Sequence, residues 1–152
     1  MRRAALLLPA LVLIGGCGDR KITPFLGKWS GALEVLRVKG GGDPKPYELH
    51  GDLQVYVRKF ELNLTGPQQT VRALGTWTYE SKRVRLKATK IEFGDAGGAD
   101  LRDPNKTYLD PKDLQAFLGR EQGLNLSKDG KRLAGVEDDL ANLIARLAFV
   151  KD

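Results

Sequence analysis

The chain has 152 residues, 29% of them charged and 41% hydrophobic, and carries a formal net charge of +6. That length suits one domain built around one core. A lone cysteine excludes an internal disulfide, and one histidine with one methionine leaves soft-metal transport or copper delivery without ligands.

Met1, Arg2 and Arg3 open the chain, an uncharged apolar run follows from Ala4 to Ile14, and Gly15 and Gly16 then precede Cys17. That order is the charged, apolar and small-residue succession of a secretory signal. The apolar run is shorter than the roughly 20 residues needed to cross a bilayer. Ile14-Gly15-Gly16-Cys17 resembles the lipobox of bacterial lipoproteins. The resemblance implies cleavage before Cys17, diacylation of its thiol and acylation of the new amine. It implies a bacterial envelope protein whose first partner is the membrane, reached through acyl chains on Cys17. The alternative is an ordinary secretory signal with an incidental cysteine. An unpaired thiol is a liability in an oxidising compartment, whereas a thioether is inert.

Residues 1–16 are then signal peptide, 17–25 anchor and tether, and 26–152 a single β-rich domain. Loss of Arg2 and Arg3 leaves 23 Lys and Arg against 19 acids, net +4. This mild excess suits anionic lipid or cell-wall surfaces, and an envelope protein requires no nucleic acid partner. Gly18 follows the cysteine and Asp19 comes next. Where sorting retains lipoproteins with aspartate directly after the cysteine, this order sends the protein to the outer membrane, facing the periplasm. The tether from Gly18 to Pro24 reaches only about 25 to 30 Å, so the domain sits close to the bilayer.

Strand signals dominate the next seventy residues. Trp29, Gly31, Leu33 and Val35 share one face of a strand over 27–38, and Lys39 to Pro46 reads as a loop rich in glycine and proline. Tyr47, Leu49, Gly51, Leu53, Val55 and Val57 alternate with mostly polar neighbours, with Gly51 marking a bend. A short strand over 60–64 follows. Val71 to Tyr79 then pairs in pattern with Val84, Leu86 and Ala88, and a shift of phase at Ile91 and Phe93 indicates a bulge near Lys90. Even strand spacing with Gly/Pro turns argues a small antiparallel barrel or sandwich, mainly β, with one or two short helices.

Gly94 to Lys106 reads as a loop. Helix 110–119 starts well: Asp110 suits the N-cap, Pro111 the first turn, and Leu109 with Leu114 a hydrophobic staple. Lys128 to Lys131 forms a hairpin turn. A short helix over about 137–144 and a final strand complete the reading, the competing pattern being one continuous helical stripe through Leu147.

Gly27-Lys28-Trp29, opening the first strand, resembles the Gly-x-Trp motif of lipocalins and lipocalin-like barrels, although the middle Thr-Asp-Tyr-type motif of that family is absent. The resemblance implies that Trp29 closes the barrel base against an arginine near the last strand, the role Arg146 would fill. A barrel interior either fills with side chains or holds one small apolar ligand. Leu49, Leu53, Val55, Val57, Trp77, Leu86 and Phe93 are the candidate lining.

Arg83, Arg85 and Lys87 face one way along their strand, as an anionic-surface contact or as charges that deter edge pairing. His50 sits mid-strand, where a solvated histidine is the plain reading. Asp95, Asp100, Asp103 and Asn105 lack the spacing of an EF-hand loop. The sequence therefore nominates no catalytic residue, no metal site and no cofactor. Two roles remain: a non-catalytic binding module for a small apolar ligand or envelope component, and an assembly lipoprotein docking onto another envelope protein.

Overall fold

The computed structural model describes residues 23–39, 47–95 and 109–152. Cys17, the signal and most of the tether lie outside these residues, as do Asp100, Asp103 and Asn105. A single 3-10 turn, Thr23–Phe25, leads into β1 (Gly27–Val38), followed by β2 (Tyr47–Val55), β3 (Lys59–Thr65), β4 (Thr70–Glu80) and β5 (Arg83–Gly94). Helix α1 (Pro111–Leu118) comes next, then β6 (Gln122–Leu126), β7 (Arg132–Gly135), the two-residue β8 (Asp138–Asp139) and β9 (Leu143–Lys151).

Each strand pairs antiparallel with its neighbour, and β9 returns to pair with β1 from Trp29 opposite Lys151 to Val38 opposite Leu143. The sheet thus closes into an eight-stranded antiparallel barrel, with β8 extending the β7 side of β9. Of the two architectures consistent with the sequence, barrel and sandwich, the chain adopts the barrel. Closure pairs the first strand with the last and so removes the two edges that an open meander would expose to another chain.

Alternation decides the interior. Trp29, Leu33 and Val35 from β1, Leu49, Leu53 and Val55 from β2, and Ala145, Leu147 and Phe149 from β9 all point inward and are buried. Gly31 and Gly51 interrupt this series as register partners across β1 and β2. A Cβ on Gly31 would lie 2.0 Å from the Ala148 carbonyl oxygen, and one on Gly51 1.8 Å from that of Asn63. The strands curl more tightly there than any side chain permits. The expected bulge is present: the β4–β5 register shifts at Leu74/Gly75 and leaves Thr89 unmatched, its hydroxyl donating to the Leu74 carbonyl.

Three ends of elements differ from the sequence expectation. β2 stops at Val55, and the chain turns at once, so Val57 is 64% exposed at a hairpin tip rather than inside the barrel. Phe93 keeps the inward phase, opposite Val71, but sits at the rim and is 37% exposed. The short helix over 137–144 does not form. Leu140 N–H donates to the Leu143 carbonyl across a turn, and β9 runs to Lys151. Period-2 burial of Leu143, Ala145, Leu147 and Phe149, together with the ladder to β1, outweighs the helical stripe.

Helix α1 forms as its start signals indicate. The Asp110 side chain accepts from Lys112 N–H, and Leu109 and Leu114 are both buried. β6 pairs only with Arg83–Leu86, so it leaves the far half of β5 uncovered, and α1 packs against β5. Leu114, Phe117 and Leu118 enter the core. The start of the helix is held by a buried amide: Gln69 Oε1 accepts from Leu109 N–H (2.8 Å) and Tyr47 hydroxyl (3.2 Å), while Nε2 donates to the Leu109 carbonyl (3.3 Å). Gln69 thus replaces a missing strand partner for Leu109.

Gln69→Leu leaves those two buried backbone groups without their partner, and should cost about 2 to 3 kcal/mol by the penalty for unsatisfied buried polar groups. Chemical denaturation should show the loss, and hydrogen exchange should show it concentrated in α1; unchanged exchange in α1 would contradict the role given to Gln69.

Candidate functional site

Two regions of the barrel could bear function, its interior and its outer surface. Five of the seven candidate lining residues, Leu49, Leu53, Val55, Trp77 and Leu86, are buried in the interior, and Val57 and Phe93 are not. Among the described residues the interior side chains pack against one another. Trp29, Leu33, Leu49, Leu53 and Leu124 are 0% exposed to a water-sized sphere, and the wall of a hollow pocket would not be. Eight strands enclose a space that side chains can fill.

The base is closed from below by the 3-10 turn. Trp29 Nε1 donates to the Phe25 carbonyl at 2.9 Å, and the Phe25 ring meets Tyr79 at 4.8 Å between centroids. The cation on Trp29 is Lys151, not Arg146. Lys151 Nζ lies 5.0 Å from the indole centroid and donates to the carbonyls of Pro24 (2.7 Å) and Leu26 (3.1 Å). Register explains the correction. Lys151 is the strand partner of Trp29 and shares the inward phase of Ala145, Leu147 and Phe149, whereas Arg146 has the outward phase. Arg146 instead pairs with its own partner Glu34 on the outer wall, and this hydrogen bond and charge raise the guanidinium pKa. The inward phase of residue 151 was available in the sequence as the continuation of that series.

Outside, the small residues Gly31, Ala32, Ala134 and Ala148 leave a shallow groove of about 750 Å³ bordered by His50, Glu34 and Arg132. His50 is solvent-exposed, with Nε2 3.1 Å from Glu48 Oε2. No serine, cysteine or further acid is bonded to it among the described residues. Among those residues, no group of three or more His, Cys, Asp or Glu is arranged to hold a metal ion, and no helix is long and apolar enough to cross a membrane.

The β5 cations do not act as one open face. Arg85 is engaged by Glu121 (3.3 Å) and Glu80 (3.8 Å). Arg83 is half-buried along Gly123, whose substitution by any side chain would strike the guanidinium. Lys87 alone of the three is exposed without an ion pair among the described residues.

At the base the turns carry most of the unpaired cations. The β6–β7 turn is a small network: Asp129 accepts from the Ser127 hydroxyl and from Lys131 N–H (3.0 Å), and Arg132 N–H donates to Ser127 Oγ (3.0 Å). The hydroxyl first and the amide second hold the Asp129 carboxyl below its ordinary pKa. A second groove of about 600 Å³ opens beside this turn, walled by Phe25, Tyr79 and Leu126 and by Lys82, Lys128 and Lys151. Sequence reading missed it because Lys82, Lys128 and Lys151 belong to three separate segments that only barrel closure brings together.

The fold defines a closed antiparallel β-barrel with a filled interior. No protein-family model matches the chain, and no curated protein matches it in sequence. Among solved structures, the crystal structure of Rv2717c from M. tuberculosis aligns with a TM-score of 0.40 and 18% identity, over 97% of this chain and 100% of that one.

Two outcomes follow. Lys151→Met keeps the aliphatic stem but removes the charge from Trp29 and the donors from two carbonyls, and should cost about 1.5 to 3 kcal/mol, the range for hydrogen bonds to a charged group. Thermal unfolding followed by tryptophan fluorescence measures it; a loss equal to that of Arg146→Met would contradict the assignment. For Asp129, the folded pKa is depressed, so its contribution is complete above the unfolded value of about 3.9 and is lost as pH falls through the folded value. The Lys131 amide shift should therefore titrate with a midpoint below that of an ordinary aspartate, and Asp129→Asn should abolish the titration.

Proposed function

We propose that the protein is a lipid-anchored lipoprotein of the bacterial cell envelope whose barrel is a rigid, non-catalytic docking module. The anchor rests on Ile14-Gly15-Gly16-Cys17 and the apolar run before it. In a host with two membranes, Gly18 and Asp19 favour the outer membrane, facing the periplasm.

One observation carries the docking role: the barrel interior is occupied by its own side chains, with Trp29 and Phe25 closing one end and α1 packed in from the side. An apolar ligand would have to displace fully buried leucines, each worth roughly 1.5 to 3 kcal/mol of burial. Recognition then falls to the outer surface, and the occupant there is an envelope component. Among the described residues no pair of polarised groups in a cleft supports catalysis, since His50 is exposed and bonded there only to Glu48.

Cys17→Ala should abolish incorporation of radiolabelled palmitate and release the protein from the membrane fraction. Native mass spectrometry of the acylated protein should then give the mass of protein plus acyl chains alone, with crosslinking recovering a protein partner from intact envelopes. A non-phospholipid small molecule of reproducible mass held inside the barrel would overturn the docking role, and palmitate retained on the Cys17→Ala variant would overturn the anchor.

A further inference from the structure

The end of the barrel at which the chain enters is strongly basic. Its turns and strand ends hold Lys28, Arg58, Lys59, Lys82, Arg83, Lys128, Lys131, Arg132 and Lys151 among the described residues, against the carboxylates Glu80, Asp129 and Asp152. All three carboxylates are already engaged, Glu80 by Arg85, Asp129 within its turn, and Asp152 by Ser30 and Lys28. Arg58, Lys59, Lys82, Lys128 and Lys131 are exposed and have no carboxylate within 4 Å among the described residues.

The same end presents apolar side chains. Val57 is the most exposed large hydrophobic residue described, and Tyr56 and Val150 are exposed beside this end. The hairpin that carries Val57 is fixed, with Tyr56 N–H donating to the Lys59 carbonyl (2.8 Å) and Trp77 Nε1 donating to the Tyr56 carbonyl (2.6 Å). Between the β4–β5 and β6–β7 turns opens the cleft of about 600 Å³ lined by Phe25, Tyr79 and Leu126, by Lys82, Lys128 and Lys151, and by Asp129, whose carboxylate is already bonded within its own turn. Apolar walls under a cationic rim suit the phosphate of a lipid headgroup above its acyl chain.

We propose that this base is a membrane-docking face: Val57 and Tyr56 enter the interface of an anionic bilayer, and the cleft between Lys82 and Lys128 receives a phosphodiester headgroup. The inference rests on the lipid anchor proposed above. Six residue steps separate Cys17 from Thr23, a reach of about 20 Å, whereas a nine-residue strand such as β9 is about 30 Å long. Even with the strands tilted as a barrel requires, an anchor at Cys17 favours contact by the end at which the chain enters over the opposite end. The base is thereby held near the surface, where its charge is least screened. The contact lies on the turns, not along Arg83, Arg85 and Lys87, because Arg85 is neutralised by Glu80 and Glu121.

The test uses the purified acylated protein in vesicles of phosphatidylcholine with 30% phosphatidylglycerol (about one anionic lipid in three, within the range where such patches respond), compared with phosphatidylcholine alone. With Cys17 acylated, a single introduced cysteine takes a fluorophore at Val57→Cys or, away from the base, at Val136→Cys. Quenching by brominated lipid should be several-fold stronger at position 57 than at position 136, only when phosphatidylglycerol is present. Lys82→Glu with Lys128→Glu should remove the difference without changing thermal stability. Equal quenching at both positions, or indifference to phosphatidylglycerol, would overturn the proposal. The intact mass of the same preparation reports the acyl chains separately. If it shows none, the anchor reading fails by itself; cosedimentation of that processed chain with the anionic vesicles, lost in the double charge reversal, would still support the face, and no cosedimentation would overturn it.

Discussion

Pairing of β9 with β1 is the constraint on which the rest of the molecule depends. It joins residues more than a hundred positions apart, from Trp29 opposite Lys151 to Val38 opposite Leu143, and turns a meander with two open edges into a barrel whose far half of β5 alone lies beside a helix instead of a strand. Register follows from this ladder. A slip of one residue would put Ala145, Leu147 and Phe149 outside and Arg146 inside, so the burial of the last strand and the closure of the sheet specify each other. The ladder also delivers Lys151 to the indole of Trp29, and so completes the base. Close approach at Gly31 and Gly51 lets β1 and β2 curl enough for the two edges to meet.

Closure with eight strands fixes what the interior can be. The enclosed space is of a size that leucines, valines and two tryptophans occupy, and the buried set does occupy it. The one place where the strands do not cover themselves, beside the far half of β5, is filled by α1 under the grip of Gln69 on Leu109. An inside so committed to packing leaves the turns and outer walls as the places where side-chain chemistry meets solvent.

What could be read from the sequence was whatever depends on neighbours in the chain. Asp110-Pro111 with Leu109 and Leu114 announced α1 because a helix start is a local event. Alternation in β1, β2 and β4 identified most inward residues, and the broken phase after Ala88 placed a bulge near Lys90, next to the unmatched Thr89. What failed depends on partners far along the chain. Residues 137–144 have a helical stripe of their own, but their hydrogen bonds and burial are decided by β9 and β1. Val57 continues the β2 alternation on paper, yet Phe60 of β3 already pairs with Val55 and forces the turn at 57. Lys151 and Gln69 escaped notice because a lysine at a chain end and a glutamine in a turn look solvated until the elements above them are placed.

The base also sets how the domain can move on its anchor. Lys151 binds the carbonyls of Pro24 and Leu26, and Trp29 binds that of Phe25, so three successive carbonyls of the entering chain are fastened to the barrel. The tether therefore ends at Pro24 rather than at β1, and the slack left to the anchor proposed at Cys17 is only about 20 to 25 Å. Orientation is then not left to a flexible stalk. Were the anchor proposed at Cys17 in place, an entry segment this firmly seated would confine the domain to tilting about its base and would turn the opposite end, with Phe93 and the start of α1, away from the point of attachment.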